Sequence, residues 1–311
     1  MKTILQAIEA KDLGSASGAE SSVVIPEKPI KASKGPFGRS PEFLGNRFVY
    51  AVISQRARGL SIGINLNPDK CCNFDCAYCE VNREIAGRDP RVDLDVLARE
   101  LENLLSLTFA QRLREFPYFQ TVPQELLTLK GVALSGEGEP TLSPQFGEIV
   151  REVVHVRSGG RFSFFKLVLI TNSVGLDMPE VRQGLTLLTS RDEIWAKLDA
   201  GTQEYMDRVN RSSMSLKKVL ANILHIGRER PIIIQSLFPL LKGQEPPPEE
   251  IEFYVGHLQK LKSDGAQISL VQVYSAHRPS HHPECGHLPL KSLSRIAQRV
   301  REVTGIPAEV F

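Results

Sequence analysis

Four of the five cysteines in this chain lie within nine residues, and three of them have the spacing CxxxCxxC. These three are Cys72, Cys76 and Cys79, and Cys71 directly precedes them. An odd number of cysteines, mostly clustered, suits pairwise disulfides poorly and predicts a reducing compartment with a metal or cluster site. Iron–sulfur clusters usually take four thiolates, so three would leave one iron open to a small molecule. An open coordination position allows a metal site to do chemistry.

Two other kinds of site could be built on the same triad. A structural zinc site needs a fourth nearby ligand, and Cys71 could supply it, although its adjacency to Cys72 makes simultaneous ligation awkward. A passive electron carrier is the second alternative, but such proteins usually ligate every iron with cysteine. Residues 281–287, with three histidines and Cys285, form another ligand-rich stretch that either binds a metal or is solvated.

Two further segments end in polar residues after an apolar run. The sequence SGEGEP covers residues 135–140, where the glycines let the backbone approach a ligand and a carboxylate can accept hydrogen bonds from an ammonium group. The sequence KLVLITNS ends at Thr171, Asn172 and Ser173. Such a loop either contacts a ligand or is a plain turn, because Asn and Ser are also common turn residues.

A fourth segment alternates apolar and polar residues in the manner of a strand. Trp195, Lys197 and Asp199 share one face, which places the charged pair inside a barrel if the other face packs on helices. The pair is either an internal salt bridge or a contact with cofactor or substrate. Gln235 and Gln272, inside apolar strands, and Arg278 are candidate lining residues.

Short apolar runs alternate with helical patterns from about residue 58 onward, which is typical of parallel strands joined by helices. The predicted strands cover residues 60–66, 131–135, 166–171, 193–199, 231–238 and 267–275. A helix is predicted from Leu94, with Asp93 as its N-cap, and another is predicted to end at Gly305. Residues 107–129 read as helix and loop, broken by prolines, and suggest an insertion outside the sheet.

The chain divides by composition into two parts. Residues 1–50, rich in Ser, Gly, Pro and Lys, are predicted to form an N-terminal arm that is partly flexible, and residues 51–311 the barrel core with a C-terminal segment. No apolar stretch is long enough for a bilayer, and the N-terminus lacks the pattern of a signal peptide, so a cytoplasmic protein without a membrane partner is predicted. A formal charge of only +2 gives no reason to expect a stable DNA complex.

The cluster loop CNFDCAYC and the GEP motif resemble those of the radical S-adenosylmethionine (SAM) superfamily. The resemblance implies an α/β fold with a partial (βα)6 TIM-like barrel, here with an N-terminal extension. It implies a [4Fe-4S] cluster on the cysteine triad that receives an electron from a donor such as flavodoxin or ferredoxin. The reduced cluster would cleave SAM to a 5'-deoxyadenosyl radical, which abstracts hydrogen from a substrate.

The resemblance also suggests roles for individual residues. Tyr78 would lie near the adenine of SAM, and the loop with Asn172 and Ser173 near its ribose and carboxylate. Gly138, Glu139 and Pro140 would bind the methionine amino group. Lys197 and Asp199 are the candidate catalytic residues, and Gln235 and Arg278 are placed with the cofactor-binding residues.

Longer strings, among them RARGLSIGINLNP, WAKLDAG and DRVNRS, look like the branch that includes the wyosine tRNA base synthases. Those enzymes carry a second cluster on three upstream cysteines and a lysine that captures pyruvate. This chain has no cysteine before Cys71, so neither feature carries over. A tRNA base-modifying enzyme is therefore one alternative, with RNA as one substrate class beside peptides and small molecules, and an iron–sulfur electron carrier is another.

Overall fold

A computed structural model describes residues 43–278 and 280–311 of the chain. Its centre is an eight-stranded sheet in the order β1-β2-β3-β4-β5-β6-β8-β10. All neighbouring pairs are parallel except β1 with β2, which form an antiparallel hairpin. The strands are β1 (Val49–Ser54), β2 (Gly59–Asn65), β3 (Leu129–Ser135), β4 (Leu167–Thr171), β5 (Glu193–Lys197), β6 (Ile232–Leu237), β8 (Ile268–Tyr274) and β10 (Ala308–Val310).

Helices connect the parallel strands. They are α1 (Leu94–Phe109), α2 (Phe146–Ser158), α3 (Pro179–Leu185), α4 (Gln203–Val209), α5 (Leu216–Glu229), α6 (Pro248–Ser263) and α7 (Leu290–Thr304). The predicted caps are confirmed: the Asp93 carboxylate accepts a hydrogen bond from the Val96 N–H, and Gly305 ends α7 with φ 63°. A small second sheet pairs β7 (Pro239–Leu241) with β9 (Cys285–His287).

The two faces of the sheet differ in chemistry. One face packs against the helices in a continuous apolar core that includes Ile194, Ala196 and Leu198 of the β5 segment. The opposite face carries a separate small cluster of Ala133, Val168 and Trp195 and otherwise lines an open cavity. The predicted alternation along residues 194–199 is therefore confirmed, with the polar set on the cavity side.

The α/β class and all six predicted strands are confirmed. The sheet contains two further strands, β1 and β10, one at each edge. It is not closed into a barrel. A salt bridge of 2.6 Å between Arg58, beside β1, and Glu309 of β10 links the two edges. With three residues, β10 is too short for a recognisable period in the sequence.

One boundary prediction is changed, and one prediction of helix and loop is confirmed. The arm predicted over residues 1–50 lies mostly outside the described residues, but β1 begins at Val49, so a boundary at residue 50 falls inside a strand. The segment 107–129 was predicted as helix and loop: α1 continues to Phe109, and three short 3-10 helices follow at Arg112–Glu115, Pro117–Phe119 and Gln124–Leu127. In the described residues, no helix is long and apolar enough to cross a membrane.

Candidate functional site

The candidate site is a cavity of about 450 Å³ on the inner face of the sheet. The predicted residues that line it come from the cysteine loop and from the ends of β3, β4, β5, β6 and β8: Cys72, Cys76, Tyr78, Cys79, Gly138, Glu139, Pro140, Asn172, Lys197, Gln235 and Arg278. Parallel strands place their carboxyl ends at one edge of a sheet, which brings together segments more than 200 residues apart in sequence.

Each of the three cysteine sulfurs accepts a hydrogen bond from a nitrogen. The donors are the Phe74 N–H to Cys72 Sγ at 3.4 Å, Asn210 Nδ2 to Cys76 Sγ at 3.4 Å, and Arg83 Nη1 to Cys79 Sγ at 3.2 Å. Donors directed at sulfur stabilise thiolates, the form that binds iron. The chemistry of this donor set fits an iron–sulfur cluster.

The three cysteines of the triad are half-buried. Burial raises the pKa of the Cys72 thiol to about 11 and that of Cys76 to about 12. Since ligands must lose their protons, metal binding here would release protons. Within residues 43–278 and 280–311, no three His, Cys, Asp or Glu side chains converge as ligands of a single metal ion. A [4Fe-4S] cluster does not require this, because each cysteine binds a different iron.

Cys71 differs from the three triad cysteines in its exposure to solvent. Its side chain is exposed, and its carbonyl oxygen accepts a hydrogen bond of 2.9 Å from the Glu139 N–H. A Cβ on Gly138 would lie 2.1 Å from the same oxygen, so only glycine allows the GEP loop to approach the cysteine loop this closely. The backbone at Cys71 thus joins the two motifs.

Glu139 is buried, with 3% of its surface exposed. Its carboxylate accepts hydrogen bonds from Thr141 Oγ1 at 2.6 Å, Thr171 Oγ1 at 2.5 Å and the Asn172 N–H at 2.8 Å. Among the described residues no cation pairs with it, and burial raises its pKa despite these hydrogen bonds. A buried carboxylate held in this way can receive a cationic ligand.

The predicted loop after β4 divides into two roles. Asn172 lines the cavity and donates from Nδ2 to Asn73 Oδ1 of the cysteine loop at 2.6 Å. Ser173 is fully buried, has φ 73°, and donates through its hydroxyl to the Lys197 carbonyl at 3.3 Å. The structure thus brings Asn172 to the cavity and leaves Ser173 behind it.

Lys197 and Asp199 form the internal salt bridge that was one of the two interpretations, with Nζ and Oδ1 3.2 Å apart. The Tyr78 hydroxyl donates to Asp199, and Asn210 Nδ2 donates to the same carboxylate at 2.9 Å. Burial disfavours the charge on Lys197, but Asp199, Tyr274 and Cys76 outweigh that effect and raise its pKa. Lys197 is therefore a cation at neutral pH.

The remaining predicted residues complete the wall. Gln235 Nε2 donates to Gln272 Oε1 at 3.0 Å, and the Tyr274 hydroxyl donates to Gln235 Oε1 at 3.3 Å. Arg278 pairs with Glu80, which lies directly after the triad, at 3.2 Å. Gln235 and Arg278 thus line the cavity as predicted, whereas Gln272 is buried and is not among the residues that line it.

Three residues that contact the site were missed. Arg83 and Asn210 bind cysteine sulfurs, and Tyr274 donates to Gln235. Asn210 lies in the string DRVNRS, which had served only as a family marker, and Arg83 lies four residues after Cys79. Their contacts depend on chain segments that meet only in the folded protein.

The stretch 281–287 supports the cysteine loop. The His281 N–H donates to the Cys79 carbonyl at 3.0 Å, and the nearby Ser280 hydroxyl donates to the Ala77 carbonyl at 2.7 Å. His282 contacts Arg211 at 2.8 Å and lies 3.6 Å from Asp75. In the described part of the chain these histidines form no metal-binding group of three side chains.

No model of a known protein family matches the chain. A UPF0026 protein of Helicobacter pylori (strain J99) is 24% identical over 229 residues, covering 72% of this chain and 66% of the relative. A UPF0026 protein of Synechocystis is 28% identical over 185 residues, covering 58% of this chain and 60% of the relative. The chain thus spans less than two thirds of the length of these two relatives.

Two kinds of solved structure share the fold. A structure of TYW1 with a lysine-pyruvate adduct superimposes with a TM-score of 0.50 at 16% identity, covering 79% of this chain and 74% of TYW1. A spore photoproduct lyase variant with a dinucleoside spore photoproduct has a TM-score of 0.52 at 9% identity, covering 84% and 78%. Both are radical SAM enzymes, so the predicted resemblance to that superfamily is confirmed for the fold. Enzymes of this superfamily use a [4Fe-4S] cluster and SAM.

Proposed function

We propose that this chain, which has the fold of the radical SAM superfamily, is a radical SAM enzyme with one [4Fe-4S] cluster on Cys72, Cys76 and Cys79. When bound, the cluster would supply the electron for reductive cleavage of SAM to a 5'-deoxyadenosyl radical. The strands β2 to β6 and β8 would act as the six-stranded partial barrel around it. A low-potential donor such as flavodoxin or ferredoxin would deliver the electron.

The observation that carries this proposal is the buried carboxylate of Glu139. Three donors orient it toward the cavity, yet the described residues supply no cation to balance its charge. Burying an ionised carboxylate without a partner is costly, so a cationic ligand would bind here with a large gain. The ammonium group of the methionine part of SAM is such a ligand, and the cysteine loop lies beside Glu139 through the Cys71 carbonyl.

The other residues would orient SAM and exclude water. Asn172 would bind the polar groups next to the methionine carboxylate or ribose, with Asn73 holding its amide. Tyr78 would pack near the adenine, its hydroxyl held by Asp199 and Asn210. Lys197, kept protonated by Asp199, would present a fixed positive charge to the cavity.

A passive electron carrier fits these contacts less well. Such a protein needs its cluster ligated and close to the surface, but it has no use for a cavity of about 450 Å³ beside the triad. The same cavity has the size of a small-molecule site. The triad, the carboxylate and the cavity together favour catalysis.

The test uses protein reconstituted anaerobically with iron and sulfide. We expect about four irons per chain and release of 5'-deoxyadenosine on reduction in the presence of SAM. Cys76→Ala should lose both the cluster and the product, because the triad has no spare ligand. Cys71→Ala is the matched control and should keep both, since its side chain is exposed.

Two outcomes would contradict the proposal. An intact four-iron cluster without any 5'-deoxyadenosine would indicate an electron carrier. Bound zinc in place of iron in protein purified without oxygen, lost in Cys71→Ala, would indicate a structural zinc site.

A further inference from the structure

We infer that the substrate of the proposed reaction carries an oxyanion, a phosphate or a carboxylate, which binds Arg56 and Lys130 in the same cavity. This inference rests on the proposed function for its reaction, but the binding site stands on its own contacts. The inference gives a role to two cavity residues, Arg56 and Lys130, that the proposed function does not use.

Only some of the cationic side chains that line the cavity have an acidic partner among the described residues. Six Lys and Arg side chains line it, and four have an acidic partner within 4.0 Å: Arg83 with Asp75, Lys166 with Glu193, Lys197 with Asp199 and Arg278 with Glu80. Among the described residues, Arg56 and Lys130 have none. Two cations without acidic partners in one concave site favour an anionic ligand.

Arg56 is held in a geometry that suits an oxyanion. Its guanidinium carbon lies 4.3 Å from the centre of the Tyr274 ring, and its Nε is buried with no hydrogen-bond acceptor among the described residues. Stacking fixes the plane of the guanidinium while leaving its edge free to bind two oxygens side by side. Buried donors are almost always satisfied, so a ligand is the expected acceptor.

Lys130 lies next to the same turn. A Cβ on Gly59, three residues after Arg56, would lie 2.9 Å from Lys130 Cε, so the lysine side chain passes over this glycine. Lys130 is near the start of β3, about 17 Å along the strand from Ser135, where the loop to Glu139 begins. Lys130 therefore lies at the opposite end of the inner face from Glu139, whereas Arg56 lies over Tyr274, the last residue of β8.

The surface beside these cations is apolar. Trp195, Ala133 and Val168 form its floor, and Ala57 of the Arg56 turn packs against them. The three acidic residues of the cavity lining do not neutralise these two cations: Glu80 pairs with Arg278, Glu137 binds Asn65, and Glu139 follows the end of β3 that is away from Lys130. A substrate with an apolar body and one oxyanion fits both features.

The fluorescence of Trp195, the only tryptophan in the chain, offers a direct readout because its side chain lines the same cavity. Reconstituted holoprotein is titrated with inorganic phosphate and, separately, with acetate at constant ionic strength set with sodium chloride. We expect a saturable change with at least one of them, and the ligand with the lower Kd identifies the oxyanion as phosphate or carboxylate.

Variants then assign the site. Arg56→Gln should weaken binding of that ligand at least tenfold, Lys130→Gln several-fold, and Arg56→Lys to an intermediate extent, because it keeps the charge but loses the fork geometry. Arg58→Gln is the matched control, since Arg58 lies in the same turn, is paired with Glu309 and has a side chain 67% exposed. It should bind as the wild type does within twofold.

The outcomes separate this inference from the proposed function. Wild-type protein that cleaves SAM but gives no saturable signal with phosphate or acetate overturns the inference alone. Equal binding by wild type and by folded Arg56→Gln and Arg56→Lys also overturns it. Wild-type protein that binds phosphate but does not cleave SAM overturns the proposed function alone.

Discussion

Two buried carboxylates lie at opposite ends of the sheet, and the described residues compensate the charge of only one of them. Asp192 directly precedes β5 and pairs with Arg157 at 2.7 Å, with both side chains at most 7% exposed. Burial tends to raise the pKa of Asp192, but hydrogen bonds from Arg157, Leu167 and Thr189 outweigh it and lower the pKa. Glu139 follows β3, has no such cation among the described residues, and its pKa is raised by burial.

The difference separates a compensated carboxylate from one that is proposed to bind a ligand. Asp192 joins α2, β4 and β5 through its Arg157 and backbone partners, so its charge is fully compensated within the fold. Glu139 is equally well oriented, but its charge is left for a ligand to balance. We therefore expect Asp192 to contribute mainly to stability and Glu139, under the proposed function, to ligand binding.

The largest expected effect is at the compensated carboxylate. Asp192→Asn should lower the free energy of unfolding by about 3–5 kcal/mol, because it leaves the buried Arg157 unpaired. Chemical denaturation at neutral pH measures this, and Glu193→Gln, whose half-exposed partner is Lys166, is the control with an expected loss of about 1 kcal/mol or less. A loss as small as that of the control would contradict the structural role of Asp192.

The same variant tests how the unfolding free energy depends on pH. Because the pKa of Asp192 is lowered in the folded chain, its contribution is present above its ordinary pKa of about 4 and is lost as the pH falls through the folded value. The unfolding free energy of the wild type should therefore fall more steeply below about pH 4 than that of Asp192→Asn. Parallel acid-denaturation curves would show that Asp192 is not the titrating group.

A smaller effect, on binding rather than stability, is expected at the uncompensated carboxylate. Glu139→Gln should weaken SAM binding to the holoprotein by about 1.5–3 kcal/mol, or roughly ten- to a hundredfold, because a charged hydrogen bond to the ammonium group is lost. Isothermal titration calorimetry measures this. Glu137→Gln, two residues away and outside the GEP match, should change SAM binding less than threefold. Equal effects of the two variants would rule out Glu139 as the ammonium ligand.

The smallest effects are expected from removing one threonine hydroxyl that donates to each carboxylate. Thr171 donates to Glu139 at 2.5 Å, and Thr189 donates to Asp192 at 3.0 Å. Replacing either threonine with valine should cost about 1 kcal/mol of unfolding free energy. Only Thr171→Val should also weaken SAM binding, because only its carboxylate is proposed to bind the ligand. A loss of SAM affinity in Thr189→Val would contradict this division.

The sequence predicted the parts of the site that depend on local chemistry. The triad, the GEP loop and the alternation of Trp195, Lys197 and Asp199 are short-range patterns, and each lines or supports the cavity as expected. Residues whose role depends on partners far along the chain were missed, or their position in the site was not predicted. Arg83 and Asn210 bind cysteine sulfurs, and Ser173 is buried behind Asn172, none of which a local pattern reveals.

By itself, the sequence determined the class of fold, the six parallel strands and the identity of the cysteine and GEP motifs, because hydrophobic period and residue spacing are properties of neighbouring residues. Only the tertiary structure decided which charges are compensated. Arg157 reaches Asp192 across 35 residues, whereas among the described residues no cation pairs with Glu139 and no carboxylate pairs with Arg56. Charge compensation is decided by distance in space and by burial, which are set when the strands align and the helices cover one face of the sheet.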